Sequence, residues 1–342
     1  YNSLMAFITL NKKHFFNNLD IISKRSKAKD KIALVLKDNA YGHGLLEIAV
    51  LAKEYGIKRA VVQTQEEAKS IEGFFEYLLV LADIPKEQSE KIRYTINDIN
   101  AVEKFAKNTK VELKVNTGMN RNGIEMQELE AAFEAIEKQG LRLEAVFTHH
   151  GCADELNGLY EIQNENFEKV KRSARELALK HGFGELRFHS CNSAAFFRES
   201  AFDEDMARVG IAAYGCMQLP AAFDEEDLKP VLSLYANKVS TRSLKKGAAV
   251  GYGAAFVADE DCVVSNYDFG YGDGFLRACS KAYKTPENVK LLGRISMDNS
   301  SFMSSEDELL IFSDARDVAE MAGTISYEVL TSLKAKIKRE II

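Results

Sequence analysis

Between residues 33 and 212 the chain repeats one unit, a short apolar run followed by a longer stretch with helical periodicity. The runs fall at 33–36, 60–62, 77–81, 93–96, 111–115, 143–147, 186–188 and 209–212. Helices are expected between them at 45–55, 66–75, 97–105, 127–138 and 164–180. Gly56, Gly140 and Gly182 stand where three of these helices would end. Eight strands alternating with helices fit a closed parallel barrel, and by periodicity alone a doubly wound sheet as well. Chemistry favours the barrel. Lys37, His149, His189 and Ser193 all lie just past strand ends, and in a barrel such residues meet on one face. The expected fold is α/β, a (β/α)8 TIM-type barrel over residues 9–228.

After Pro230 the texture changes. Short strand-like runs at 232–236, 248–250, 255–257, 262–264 and 309–312 are punctuated by Gly247, Gly251, Gly253, Gly270, Gly272 and Gly274. A C-terminal mostly-β domain is expected over 229–342. A strand within residues 1–8 would join it, because a strand ahead of the barrel has no partner inside one. A length of 342 residues accommodates both units. The formal charge of -6, from 51 acidic and 45 basic residues, gives no support to a nucleic-acid partner. No apolar run approaches the ~18 residues of a membrane helix. The five cysteines are scattered without a CxxC pair, so reduced thiols are expected rather than a disulfide framework or a metal cluster. No basic region with a long apolar core opens the chain, so a signal peptide is not expected and the location is expected to be cytoplasmic.

Lys37 opens the segment KDNAYGHG directly after the apolar run 32–36. A lysine fixed at that boundary, with no metal cluster nearby, is suited to a Schiff base with a carbonyl. Pyridoxal 5'-phosphate is the cofactor that most often uses one. Taken singly, Lys37 reads more simply as a strand-end lysine reaching for solvent.

The surrounding residues narrow the choice. Residues 35–44 (VLKDNAYGHG) resemble the cofactor-lysine signature of the alanine racemase family. Further blocks resemble the same family in the same order: LKVNTGMNRNG at 113–123, FTHHGCAD at 147–154, FHSCNSAA at 188–195 and ARVGIAAYG at 207–215. VGYGAAF at 250–256, FGYGDGF at 269–275, LGRISMD at 292–298 and ISYEVL at 325–330 complete the series. The resemblance implies pyridoxal-phosphate-dependent interconversion of L- and D-alanine, a bacterial supply of D-alanine for peptidoglycan, and a head-to-tail homodimer with shared active sites. A racemase of broader range, accepting alanine and serine, is the alternative. Two other classes share such a lysine, a barrel decarboxylase and a non-catalytic cofactor carrier. The Tyr252 and Arg208 blocks argue against the first, and the residues after Pro230 against the second.

Carried over residue by residue, the resemblance makes Lys37 the cofactor lysine and one base. It makes Tyr252, reaching in from the partner, the other base. Tyrosine has an unperturbed pKa of about 10 and needs help to act as a base. His149 matches the neighbouring histidine, which as a cation would favour phenolate. Arg208 matches the arginine facing the cofactor's ring nitrogen. Tyr41, Ser193, Gly210, Ile211 and Tyr327 match the phosphate-binding positions, and His189 a cofactor contact. Arg121, Met297 and Tyr271 match substrate-side positions. Lys114 matches a lysine that is often carbamylated and steadies that arginine. Asn116 and Asn120 stand where the family pattern usually has Asp and Gly, and Asp38 is a less typical neighbour for the lysine.

Overall fold

The structure, a computed structural model, describes residues 6–223 and 226–342, so most of the strand expected at the N-terminus (residues 1–5) lies outside the described residues. The first described strand is β1 (Phe7–Leu10), whose Ile8 and Leu10 are fully buried. Nine strands follow: β2 (Ile32–Val35), β3 (Arg59–Val62), β4 (Tyr77–Val80), β5 (Ile92–Ile96), β6 (Lys110–Asn116), β7 (Ile124–Glu125), β8 (Arg142–Phe147), β9 (Arg187–His189) and β10 (Ala207–Val209). Eight of them pair in parallel in the order β10-β2-β3-β4-β5-β6-β8-β9, and β7 adds two residues beside β6. β2, β4 and β6 are buried at every position. Strands covered on both faces read as unbroken apolar runs, which is why the sequence marks them so clearly. The ends of the sheet approach each other: Arg208 N donates to Cys191 O at 2.9 Å and Asp205 N to Phe188 O at 3.2 Å. The result is the expected eight-stranded parallel barrel, nearly closed.

Several boundaries differ from expectation, among them the helix expected at 66–75, which spans Gln65–Ile71. The eighth strand ends at Val209, because Gly210 begins a turn in which Ala213 N donates to Gly210 O. The helix expected at 97–105 is only a 3-10 segment, Ile99–Lys104, with Asp98 capping it through Asn100 N. The long helix starts earlier than its apolar pattern, at Leu159 after the left-handed Gly158, and runs to Lys180.

The second unit contains β11 (Leu232–Leu244), β12 (Ala249–Val250), β13 (Phe256–Val257), β14 (Cys262–Tyr267), β15 (Ser300–Phe302), β16 (Glu308–Phe312) and β17 (Lys338–Ile341). Its main sheet runs β15-β14-β11-β1-β17, with β16 also on β11. β1 is antiparallel to β11 and parallel to β17, so both ends of the described chain meet in this sheet. Two helices, Ala315–Ala322 and Ser326–Ser332, lie between β16 and β17. The second returns to the barrel, where Ser326 Oγ donates to Cys216 O. Among the described residues, no helix is long and apolar enough to cross a membrane.

Candidate active site

Lys37 follows β2 by two residues and is set by an unusual turn. Asp38, Asn39, Ala40 and Tyr41 all have φ between 50° and 56°, in the left-handed region. Each L residue there costs about 1–2 kcal/mol. Contacts from three elements hold the turn. Asp38 N donates to Glu67 Oε1 at 2.8 Å, and the other Glu67 oxygen caps Gln63 N and Thr64 N at the next helix start. Leu45 N donates to Asn39 Oδ1. Arg339, on β17, donates through Nε and Nη2 to Gly42 O at 2.9 and 2.8 Å. Gly42 (φ 74°) must lack a Cβ, which would lie 2.0 Å from Leu330 O.

The turn borders a cavity of about 580 Å³ at the C-terminal ends of the barrel strands. Lys37, Tyr41, Lys114, Arg121, His149, Ser193, Arg208, Gly210, Ile211 and Tyr327 all line it, drawn from loops across the barrel and from the Ser326–Ser332 helix. At one side Ser193 Oγ accepts from Gly210 N at 3.0 Å and Ala212 N at 3.4 Å, leaving its own hydrogen to donate. Gly210 is needed here, since a Cβ would sit 2.9 Å from the Tyr41 ring. Burial pushes the Tyr41 and Tyr327 hydroxyls upward, so both are neutral donors.

Arg208 forms the floor. Its guanidinium donates to Thr148 O at 2.7 Å, Ser190 O at 3.0 Å and His189 O at 3.3 Å, and lies over the Phe147 ring. Glu204, close to it in sequence, acts on it electrostatically but gives its oxygens to Ser190 and Cys191. Arg208 also donates to His189 Nδ1, so that nitrogen is an acceptor and Nε2 carries the proton towards Glu112 Oε2, 2.9 Å away. His189 is fully buried, stacked on Phe147, and does not line the cavity. It therefore bears on the cavity through Arg208. Burial pushes His189 down to about 4 despite its bond to Glu112. Burial would raise Glu112, but hydrogen bonds from His189 and Tyr77 and the Arg187 guanidinium outweigh it and keep the carboxyl ionised.

His149 departs from expectation in charge. Burial first, then Arg208, Lys114, Arg121 and His150, push it well below the usual imidazole range. The ring is neutral rather than cationic, with Nδ1 3.5 Å from the Arg208 donor. Lys114 is affected similarly: burial, then Arg208, Arg121 and Lys37, push its amine down to about 8. Asp38 supplies a nearby carboxylate, 3.6 Å from Lys37 Nζ.

The second-domain residues lie elsewhere. Tyr252, Met297 and Tyr271 are 66%, 56% and 41% exposed, and none lines this cavity. Tyr271 and Met297 share one knot of backbone: Tyr271 N donates to Ser296 O and Gly272 N to Met297 O. Tyr252 sits between Gly251 (φ 67°) and Gly253 (φ 66°). Glu67, Glu112, Phe147 and Arg339 support the site without having been singled out from the sequence. Glu112 carried a signal, a lone acid within the apolar run 111–115. The others had none short of the folded contacts.

Two family models cover most of the chain: "Alanine racemase, N-terminal domain" matches residues 10–218 and "Alanine racemase, C-terminal domain" matches 231–341. An alanine racemase from a Nitratiruptor species is 45% identical over 98% of this chain and 99% of its own length. One from Campylobacter concisus is 44% identical over 99% and 100%. Among solved structures, the alanine racemase of Bacillus anthracis with bound L-Ala-P superposes with a TM-score of 0.86 at 25% identity, covering 98% of this chain and 95% of that one.

Proposed function

The chain belongs to the alanine racemase family, and on that footing we propose that its cavity interconverts L- and D-alanine, using Lys37 Nζ and the hydroxyl of the partner subunit's Tyr252 as two bases. One observation carries the reading: a single cavity gathers an amine on a rigid turn, a cradle of hydroxyls and backbone amides, and a buried guanidinium. Pyridoxal phosphate suits these residues. Lys37 would hold it, Tyr41, Ser193, Gly210, Ile211 and Tyr327 would seat its phosphate, and Arg208 would face its ring nitrogen. When bound, it supplies the electron sink that lets an α-proton leave.

The protein's part is proton placement and charge. A guanidinium donates but cannot accept a proton, so Arg208 would favour the unprotonated form of the ring nitrogen. His189 and Glu112 lock the Arg208 plane from below. Lys37 Nζ would move a proton on one face of the bound substrate and the partner subunit's Tyr252 on the other. That tyrosine's exposure in the single chain agrees with a residue completed by a second copy. Neutral His149 would assist by donating a hydrogen bond, which favours a phenolate without adding a positive charge. Arg121 would take the substrate carboxylate, steadied by a carbamate on Lys114, with the partner's Met297 and Tyr271 closing a small side-chain pocket. D-alanine for peptidoglycan is the product this assigns in the cell.

The test is inversion of L-alanine by purified protein with added pyridoxal phosphate, with L-serine in parallel. Fast alanine and slow serine turnover is expected. Tyr252→Phe is expected to keep the cofactor while losing about 10²-fold or more in rate. Carbon dioxide release without inverted amino acid would overturn the reading.

A further inference from the structure

Asn116 closes β6 and is buried. Its amide is saturated. Oδ1 accepts from Gly118 N at 3.1 Å and Asn120 N at 3.0 Å, while Nδ2 donates to Asn120 Oδ1 and Glu125 Oε1, both at 2.9 Å. An Asn side chain has two donor hydrogens and one oxygen with two lone pairs, so all four positions are used. The partners also fix which way the amide points, since the opposite orientation would set NH2 against two backbone N–H groups.

The bonds enclose one short loop. Residues 117–123 leave β6 and return as β7, with Asn116 beside Glu125. Asn120 sits at φ 55°, where Asn is tolerated better than most residues. Gly123 approaches so closely that a Cβ would lie 2.9 Å from Asn116 N. Arg121 and Asn122, at the tip, line the cavity. Glu125 is itself anchored, its carboxylate accepting from the backbone of Glu128.

We propose that Asn116, acting through Asn120 and Glu125, is a positioning residue that sets where the Arg121 guanidinium stands, and that its donor face towards Glu125 is the essential element. The proposal rests on the reading of Arg121 as the substrate-carboxylate group. An aspartate at position 116 could still accept both backbone N–H groups, but it would confront Glu125 with a second carboxylate. The loop would then open on the Arg121 side. The polarity can be restored from the other partner, because Glu125→Gln supplies the donor that such an aspartate lacks while the Asn120 amide turns over.

The experiment is a rescue series in the cofactor-loaded protein. Asn116→Asp is expected to raise KM for L-alanine about tenfold with kcat changed less than about threefold. It should weaken binding of propionate, a carboxylate without an amine, by about the same factor, read from cofactor fluorescence. Asn116→Asp/Glu125→Gln is expected to return both to within about threefold of the parent. Should Asn116→Asp not fold, Asn120→Gly removes one acceptor at a φ that glycine accepts freely, and a smaller shift in the same direction is expected. Unchanged propionate affinity in folded Asn116→Asp, or a double variant that recovers its melting temperature but not its affinity, would overturn the positioning role. An Arg121→Lys protein with parental propionate affinity would instead overturn the reading of Arg121 on which the proposal stands.

Discussion

At the scale of single residues, Lys114 is where surroundings most change what a side chain can do. A lysine amine ordinarily stays protonated well past neutrality. Burial and the cations Arg208, Arg121 and Lys37 bring this one down to about 8. Its folded value is lowered, so the uncharged amine dominates above that pH and the ammonium below it. Only the uncharged amine adds carbon dioxide. 13C-bicarbonate is therefore expected to label Lys114 increasingly from about pH 7 to about pH 9, with Lys114→Gln as the blank. Labelling that begins only in the ordinary lysine range would contradict the depressed amine. The residue scale also marks where the sequence stops being informative. It placed Lys37, His149 and Ser193 at strand ends on one face, and they meet in one cavity. It could not assign the tautomer of His189, because the carboxylate that fixes it, Glu112, lies 77 residues away on another strand. Nor could it make His149 neutral, since the burial chiefly responsible, and the Arg208, Lys114 and Arg121 cations that add to it, are brought around the ring only by folding.

At the scale of elements, the barrel strands were legible because burial on both faces leaves a continuous apolar signature. The turn at 38–41 was not. Left-handed backbone in four successive non-glycine residues goes against local propensity, so no local pattern announces it. It persists because its surroundings over-determine it. Glu67 ties its first N–H, Asn39 ties its own loop to Leu45, and Arg339 ties Gly42 O from the last strand of the second unit. Arg339 is thus joined to the turn that carries Lys37 across 297 residues of chain. Removing it should let the turn relax towards ordinary backbone and release the Lys37 amine from its place. Arg339→Ala is expected to bind pyridoxal phosphate about tenfold more slowly in the cofactor-free protein, followed by absorbance, and to melt lower by the loss of about 1.5–3 kcal/mol in hydrogen bonds to a charged group. Arg339→Lys, which keeps the charge but not the paired donors, should fall between. Cofactor uptake at the parental rate in folded Arg339→Ala would show that the turn holds without the second unit.

At the scale of the whole molecule, the two units carry complementary halves of the proposed machinery. The barrel holds Lys37, His149 and Arg208 around one cavity, while Tyr252, Tyr271 and Met297 stand exposed on the second unit and contribute nothing to that cavity. An exposed tyrosine held on a tight glycine-flanked loop has little to do for its own chain's stability. It is accounted for if a second copy brings it to the first copy's lysine. Closed two-fold assembly would give each dimer two such sites, each with its lysine from one chain and its tyrosine from the other. The arrangement makes a numerical prediction. Lys37→Ala and Tyr252→Phe proteins should each be nearly inactive alone. When they are unfolded together and refolded, about half the dimers are mixed. In a mixed dimer one site receives both defects and the other receives none. The mixture should therefore recover about a quarter of the parental activity per site. Dilution that dissociates the dimer should abolish it again. No recovery on mixing, with both proteins folded and dimeric, would mean that lysine and tyrosine serve the same chain, and the second unit would have to move to deliver Tyr252 to its own barrel.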